Sequence, residues 1–224
     1  MRSRCRFAAI SIAMLLTACA STPPPPDWQM NAKDSLERSV AAYLQGNSRV
    51  EAVEFTRARA ELARTGQAEL LARAELTRCA ARVASLVFEP CAGFAALAQD
   101  ASAAERAYAD YLAGKISALD AALLPEQHRA VATASEPAAA VAGIADPLAS
   151  LIAAGVLMQG ARAEPAVMAL AVDTASAQGW SRPLLAWLNV QALRADAAGD
   201  AAEAARLRRR IGLVLGTPAV RAAP

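Results

Sequence analysis

Residues 146–159 read DPLASLIAAGVLMQ, and this stretch decides the fold. Asp146 offers an N-cap side chain, and Pro147 suits the first helical position, where the backbone N–H has no partner to lose. Large apolar side chains then cover nearly the whole circumference of the helix: Leu148, Leu151, Ile152, Val156 and Leu157. The run is too short for a membrane span, which needs about 20 apolar residues. We therefore predict a helix that is buried among other helices.

Further helices are predicted on the C-terminal side of this stretch. Glu164-Pro165 opens a helix that runs to Gln178, and Arg182-Pro183 opens the next one, after a turn at Trp180. Gly199-Asp200 turns the chain into a last helix through Leu215. These turns are short enough to make neighbouring helices antiparallel.

On the N-terminal side, capping residues and helix-breaking residues also mark where helices start and end. The first helix is expected to start at Asp27 and to end at Gly46-Asn47; Ser48, with Glu51 as its capping-box partner, starts the second. A third is predicted over 67–87, with Pro90 as its stop. Shorter helices are expected over 92–98, 102–113 and 116–133, with a break at Pro125 left open.

Composition agrees with a helical chain. The 224 residues are 55% hydrophobic, but only 4% aromatic and 20% charged, and alanine alone fills about a quarter of the positions. This excludes a disordered chain and disfavours a β-sandwich, which needs β-branched and aromatic residues. The prediction is an all-α fold of nine or ten helices, with antiparallel helical hairpins packed as a bundle or as a short α-solenoid.

One hairpin resembles a known repeat. Within 188–204, Ala192, Gly199-Asp200 and Ala204 resemble the small-residue and turn positions of a tetratricopeptide repeat, and the first helical pair has similar proportions. Arg208 departs from the pattern, because that position takes a large apolar residue in the repeat. No 34-residue period continues through the middle, so the resemblance covers about a third of the chain.

The N-terminus has the layout of a secretory signal. Arg2, Arg4 and Arg6 precede an apolar run over 7–16, which ends in Leu16-Thr17-Ala18-Cys19. The tetrapeptide resembles the lipobox of bacterial lipoproteins. The resemblance implies that residues 1–18 are removed and that Cys19 is lipidated. The alternative is an ordinary signal peptide with a coincidental cysteine.

The residue after Cys19 bears on the destination. Aspartate at that position retains such lipoproteins in the inner membrane, and this chain has Ala20. The resemblance therefore implies the inner leaflet of the outer membrane, with the body facing the periplasm and the membrane as a partner through the lipid. Two or three acyl chains anchor a protein firmly, whereas one does so only marginally.

Processing also sets the predicted organisation and charge. We expect a signal peptide over 1–18, the lipidated cysteine and a proline-rich tether over 19–27, a helical domain over 28–216 and a flexible tail over 217–224. Three arginines leave with the signal, so the formal charge of the remainder is near zero. No global attraction to nucleic acid remains.

Two cysteines remain in the body. Cys79 and Cys91 are a candidate disulfide in an oxidising compartment, and the alternative is two small buried thiols. A bridge needs α-carbons within about 7 Å. A helix that continued to Phe88 would place Cys79 about 13 Å down its axis, so a bridge requires the chain to reverse well before Pro90.

Chemistry-bearing motifs are scarce. His128 is the one histidine, and its polar neighbours beside Pro125 favour a solvated residue in the first turn of a helix. The glutamate-serine pair typical of lytic transglycosylases does not occur, so we expect no enzyme, and no cofactor or metal. Candidate partner-binding residues are Trp180, Trp187, Arg208, Arg209 and Arg210, although core packing for the tryptophans and solvation beside the core for the arginines are the simpler explanations.

The combined expectation is a non-catalytic lipoprotein that acts as a helical adaptor for other envelope proteins. The alternative is a lipoprotein that binds lipid or peptidoglycan fragments, which the apolar centre of the chain and its terminal arginines motivate.

Overall fold

The computed structural model describes residues 24–115 and 117–216. Within them the protein is all-α, as predicted, and no strand occurs. The signal peptide, Cys19 and the tail 217–224 lie outside the described residues. Residues 24–26 precede the first helix, and Pro26 has the φ of −56° and ψ of 148° of polyproline II. Asp27 begins the first helix, as its sequence predicts, and so does not belong to the tether expected over 19–27.

The described residues form eleven α-helices and one short 3-10 helix. In chain order they are α1 Asp27–Leu44, α2 Ser48–Ala63, α3 Ala68–Ala84, α4 Ala92–Ala95, α5 Ala103–Leu112, the 3-10 helix Asp120–Leu123, α6 Glu126–Thr133, α7 Pro137–Ala142, α8 Pro147–Gln159, α9 Pro165–Ala177, α10 Ser181–Ala197 and α11 Ala201–Val214. Among these residues no helix combines the length and the apolar character that crossing a membrane requires.

Helix α8 lies in the centre of the main hydrophobic core. Every residue from 149 to 157 is buried, which confirms the buried helix expected from its sequence. It packs on α3 and α9, and its Gly155 faces the backbone of α3: a β-carbon there would lie 2.2 Å from the carbonyl oxygen of Val83. Glycine therefore allows the two helices to approach closely.

Two hairpins lie at the ends of the chain. Helices α1 and α2 pack along each other, and so do α10 and α11. The two hairpins also meet. Arg182 at the start of α10 donates from Nε to the carbonyl oxygen of Tyr43 at 2.6 Å and stacks over the Tyr43 ring. Ser181 donates to the carbonyl oxygen of Gln45 at 2.9 Å. The Gln45 carbonyl thus gains a partner at the end of α1, and the Tyr43 carbonyl, which already accepts from the N–H of Gly46, gains a second one.

Buried glutamates join helices that are distant in sequence. Glu51 of α2 is 4% exposed and accepts from Arg78 of α3 at 2.7 Å, with Arg82 at 3.6 Å. Glu105 of α5 accepts from Arg73 of α3 at 2.7 Å. A buried carboxylate requires such partners, because losing one leaves an uncompensated charge.

Some helix boundaries differ from the predicted ones. Asn47 caps α2 by accepting from the N–H of Val50 at 3.1 Å, and Ser48 is already helical. The expected capping box of Ser48 and Glu51 is therefore wrong, because Glu51 points into the ion pair. The capping box occurs instead at Ser102 and Glu105 of α5.

Helix α3 is shorter than predicted, and the segment after it is more broken. It ends at Ala84, and Leu86 adopts a left-handed φ of 59° that reverses the chain. The helix expected over 116–133 does break at Pro125. A 3-10 helix precedes this proline, and α6 follows it. Helix α7 was not predicted, because its alanine-rich sequence carries little periodicity.

Candidate functional site

The best candidate for a partner site is a groove between α1, the start of α8 and the turn between α9 and α10. Its volume is about 540 Å³, and its lining is mostly apolar. The groove is lined by Lys33, Leu36, Glu37, Val40, Ala41, Leu44, Thr77, Asp146, Pro147, Leu148, Gln178 and Trp180. The size and apolar character are those of sites that bind other molecules.

Helix α1 forms one wall of the groove. Leu36, Val40 and Leu44 are spaced four residues apart, so they form one row along the helix. Leu44 is 1% exposed, whereas Leu36 and Val40 are only partly buried. The row spans about 12 Å along the axis at 1.5 Å per residue. A straight apolar row of this length matches the side of another helix.

Trp180 forms the wall of the groove opposite α1. It precedes α10, is partly buried, and packs with Val40 and Leu148 against a cluster of Tyr43, Leu44 and Ala81. Its indole N–H makes no hydrogen bond with any residue in the described part of the chain. A tryptophan with an apolar body and a free donor at a groove is typical of residues that dominate binding energy.

Trp187 does not belong to this site. It is 0% exposed, and its Nε1 donates to the carbonyl oxygen of Ala84 at 3.1 Å. The hypothesis that it binds a partner is wrong: it is a core residue that joins α10 to the end of α3. Its separation of seven residues from Trp180 does not give the two a common surface, because Trp180 precedes the helix.

The three arginines of α11 lie apart from the groove. Arg208 pairs with Asp196 of α10, Arg209 is exposed, and Arg210 is partly buried. None of them lines the groove. The structure therefore does not bring the predicted partner-binding residues together, and of the five only Trp180 lies at this site.

Charged groups form the rim of the groove. Lys33 and Glu37, both exposed, approach to 3.8 Å on α1. Asp146 accepts from the N–H of Ala149 at 2.6 Å, as the capping prediction requires, and thus holds the start of α8 beside the groove. The rim carries both signs of charge around an apolar floor, which suits an amphipathic occupant.

A disulfide joins Cys79 and Cys91, with their α-carbons 5.9 Å apart. The early end of α3 at Ala84 provides the chain reversal that the bridge needs. The bond ties α3 to the residue before α4, and each cysteine is partly buried against the main core.

The solvated position expected for His128 is wrong. Its side chain is 1% exposed, its ring lies against Tyr108 and Tyr111, and Nδ1 is 3.3 Å from the Tyr111 hydroxyl. Burial lowers the pKa of His128 to about 4, against a smaller opposing effect of Asp146. The signal was present in the sequence: His128 and Val131, three residues apart, share one face of α6, and both are buried.

The described residues include no group of three or more His, Cys, Asp or Glu side chains that could hold a metal ion. Comparison of the chain with protein-family models, curated proteins and solved structures found no match to any of them.

Proposed function

We propose that this chain is a non-catalytic lipoprotein of the bacterial outer membrane, whose helical body holds an amphipathic helix of another envelope protein in the groove beside Trp180. The observation that carries the proposal is the groove itself. An apolar row on α1 faces a partly buried tryptophan with a free donor, and the rim carries charges of both signs.

Two sequence and structural features support the location. The first is the resemblance of Leu16-Thr17-Ala18-Cys19 to a lipobox, which supports an anchor at Cys19, eight residues before the start of α1 at Asp27. The second is the disulfide between Cys79 and Cys91, since such bonds persist in oxidising compartments such as the periplasm. The groove begins at Lys33, a short distance along α1 from the anchored end.

The occupant is argued from the shape and chemistry of the groove. Leu36 and Val40, which are only partly buried, offer apolar side chains at a four-residue spacing against which a facing helix can pack. The Lys33 and Glu37 side chains remain exposed and available to polar residues at the edge of that helix. An amphipathic helix has both an apolar face and polar flanks, so it fits this groove.

Site-specific crosslinking in cells tests the proposal. A photoreactive amino acid replaces Ala41, which is exposed and lines the groove, and in a matched strain it replaces Ala202, which is exposed on α11. We expect one envelope protein to crosslink at position 41 and not at position 202. Trp180→Ala should lower that crosslink about tenfold or more, because truncating a binding hot spot costs about 2 kcal/mol.

The control variant is Leu193→Ala, which removes an apolar side chain that is 68% exposed on α10. It should leave the crosslink unchanged. Equal crosslinking at 41 and 202, or a crosslink at 41 that persists in the folded Trp180→Ala variant, would show that the groove is not the binding site.

A further inference from the structure

A second cleft lies between α3, α5 and the segment that leads from the 3-10 helix into α6. Its volume is about 430 Å³, and it opens to solvent. Apolar lining comes from Leu76, Ala104, Leu123, Leu124 and Pro125. Polar groups of Arg73, Thr77, Ser102, Glu105, Tyr108 and Arg129 complete it. It shares only Thr77 with the groove beside Trp180.

The hydrogen-bond acceptors of Glu105 and Ser102 in this cleft already accept bonds from neighbouring groups of the protein. One carboxylate oxygen of Glu105 accepts from Arg73 Nε at 2.7 Å, and the other accepts from the backbone N–H of Ser102 at 2.8 Å. The Ser102 hydroxyl accepts from the N–H of Glu105 at 3.2 Å. A ligand that needed an acceptor would find these groups engaged.

The Tyr108 hydroxyl and the Arg129 guanidinium, in contrast, carry free donors. The Tyr108 hydroxyl makes no hydrogen bond with any residue in 24–115 or 117–216, and burial raises its pKa, so it stays protonated and can donate. Arg129 donates from Nε to the carbonyl oxygen of Leu124 at 2.8 Å. No carboxylate within the described residues pairs with it, and its terminal N–H groups remain available.

Free donors beside engaged acceptors select a ligand by its chemistry. A neutral phenol and a guanidinium both favour a negatively charged oxygen, and a guanidinium matches the geometry of a carboxylate. The surrounding leucines and proline favour an apolar tail.

We propose that this cleft binds a fatty acid, with its carboxylate held by the Tyr108 hydroxyl and the Arg129 guanidinium and its acyl chain against Leu123, Pro125 and Ala104, which are the exposed apolar residues of the lining. The proposal does not depend on the lipid anchor or on the groove beside Trp180. It also differs from the lipid-binding alternative stated at the level of sequence: the apolar centre is packed core of α8, and the terminal arginines lie on α11, so neither lines this cleft.

Photolabelling of the full chain in its membrane tests this site. The probe is octanoate that carries a diazirine on its tail, and the labelled peptides are mapped by mass spectrometry. We expect labels on α3, α5 and the segment around Leu123 and Leu124. Unlabelled octanoate should compete, whereas octan-1-ol and octylamine should not, because one lacks the charge and the other reverses it.

Three variants separate binding from packing. Tyr108→Phe removes only the hydroxyl, and Arg129→Gln removes the guanidinium with its charge. Each should lower the labelling about tenfold or more, as the loss of one hydrogen bond to a charged group predicts. Arg194→Gln replaces an exposed arginine on α10 and should change nothing. Thermal unfolding of each variant confirms that it is folded. Labels outside the cleft, equal competition by octan-1-ol, or labelling that survives both substitutions would overturn the proposal.

Discussion

Gly155 shows how a single residue sets the distance between two helices. Glycine inside a helix normally costs about 0.5–1 kcal/mol relative to alanine. Here a β-carbon would lie 2.2 Å from the Val83 carbonyl oxygen, which belongs to the backbone of α3 and cannot simply rotate away. The steric cost therefore outweighs the helical gain.

Gly155→Ala should lower the free energy of unfolding by about 1–3 kcal/mol, the usual cost of overpacking a core. Urea unfolding measures it. The matched control is Gly160→Ala at the end of the same helix, where the nearest atom to a β-carbon is 3.5 Å away, and its effect should stay within about 0.5 kcal/mol. A stabilised Gly155→Ala variant would show that the two helices are not in such close contact.

His128 is the residue whose burial has a pH-dependent consequence. The pKa is about 4 in the folded chain and 6.5 at its ordinary value, so protonation favours the unfolded state. The stabilisation is complete well above pH 6.5 and is lost as the pH falls toward 4. Linkage gives a loss of about 2 kcal/mol between pH 8 and pH 5.

Urea unfolding at pH 8 and pH 5 checks this prediction, with His128→Gln as the comparison. The variant has no imidazole to titrate. Between pH 8 and pH 5 its free energy of unfolding should therefore fall by about 2 kcal/mol less than that of the unaltered protein. Identical pH dependence of the two proteins would mean that His128 is accessible to protons in the folded state.

At the scale of elements, helix starts were more predictable than helix ends. Asp146-Pro147 and Glu164-Pro165 each gave a correct start, because a cap and a proline act within one turn. The end of α3 at Ala84 was missed, since residues 85–89 contain no glycine or proline. Leu86 takes the left-handed conformation that glycine usually adopts at a helix end. Tertiary contacts, which local sequence does not carry, decide such an end.

The disulfide is the element-scale feature with the clearest energetic test. It closes a loop of 12 residues, which in the chain-entropy view stabilises the fold by about 3 kcal/mol. A reductant should therefore lower the free energy of unfolding by about that amount. The double variant Cys79→Ser with Cys91→Ser should be destabilised to the same degree and should not respond to the reductant.

Thiol counting gives the control for that experiment. The untreated body should show no free thiol at these two positions, and the reduced protein should show two. If full reduction left the stability unchanged, the bond would contribute nothing to the fold, and its use as support for an oxidising location would also weaken.

At the scale of the whole molecule, the candidate site could be predicted only in part. Trp180 was found because tryptophan is rare in this chain and common at interfaces. The groove could not be found, since it needs Leu36 from α1, Leu148 from α8 and Trp180 from the turn between α9 and α10. These residues lie more than 100 positions apart at the extremes. Arg182 helps to bring them together by bonding the end of α1. The all-α fold, in contrast, followed from composition and from the capping signals of individual helices.

The two proposed sites assign different tasks to different faces. The groove beside Trp180 would hold a protein, and the cleft at Tyr108 would hold a fatty acid. Neither task by itself places the protein at a membrane. That placement depends on the conversion of Cys19 into a lipid anchor.

The intact mass of the chain, purified from membranes of the cell that encodes it, tests this placement most directly. We predict a polypeptide that begins at Cys19 and carries two or three acyl chains, and a Cys19→Ser variant that retains residues 1–18 and gains no lipid. A native chain that begins at any other residue, or that carries no fatty acid, would contradict the account.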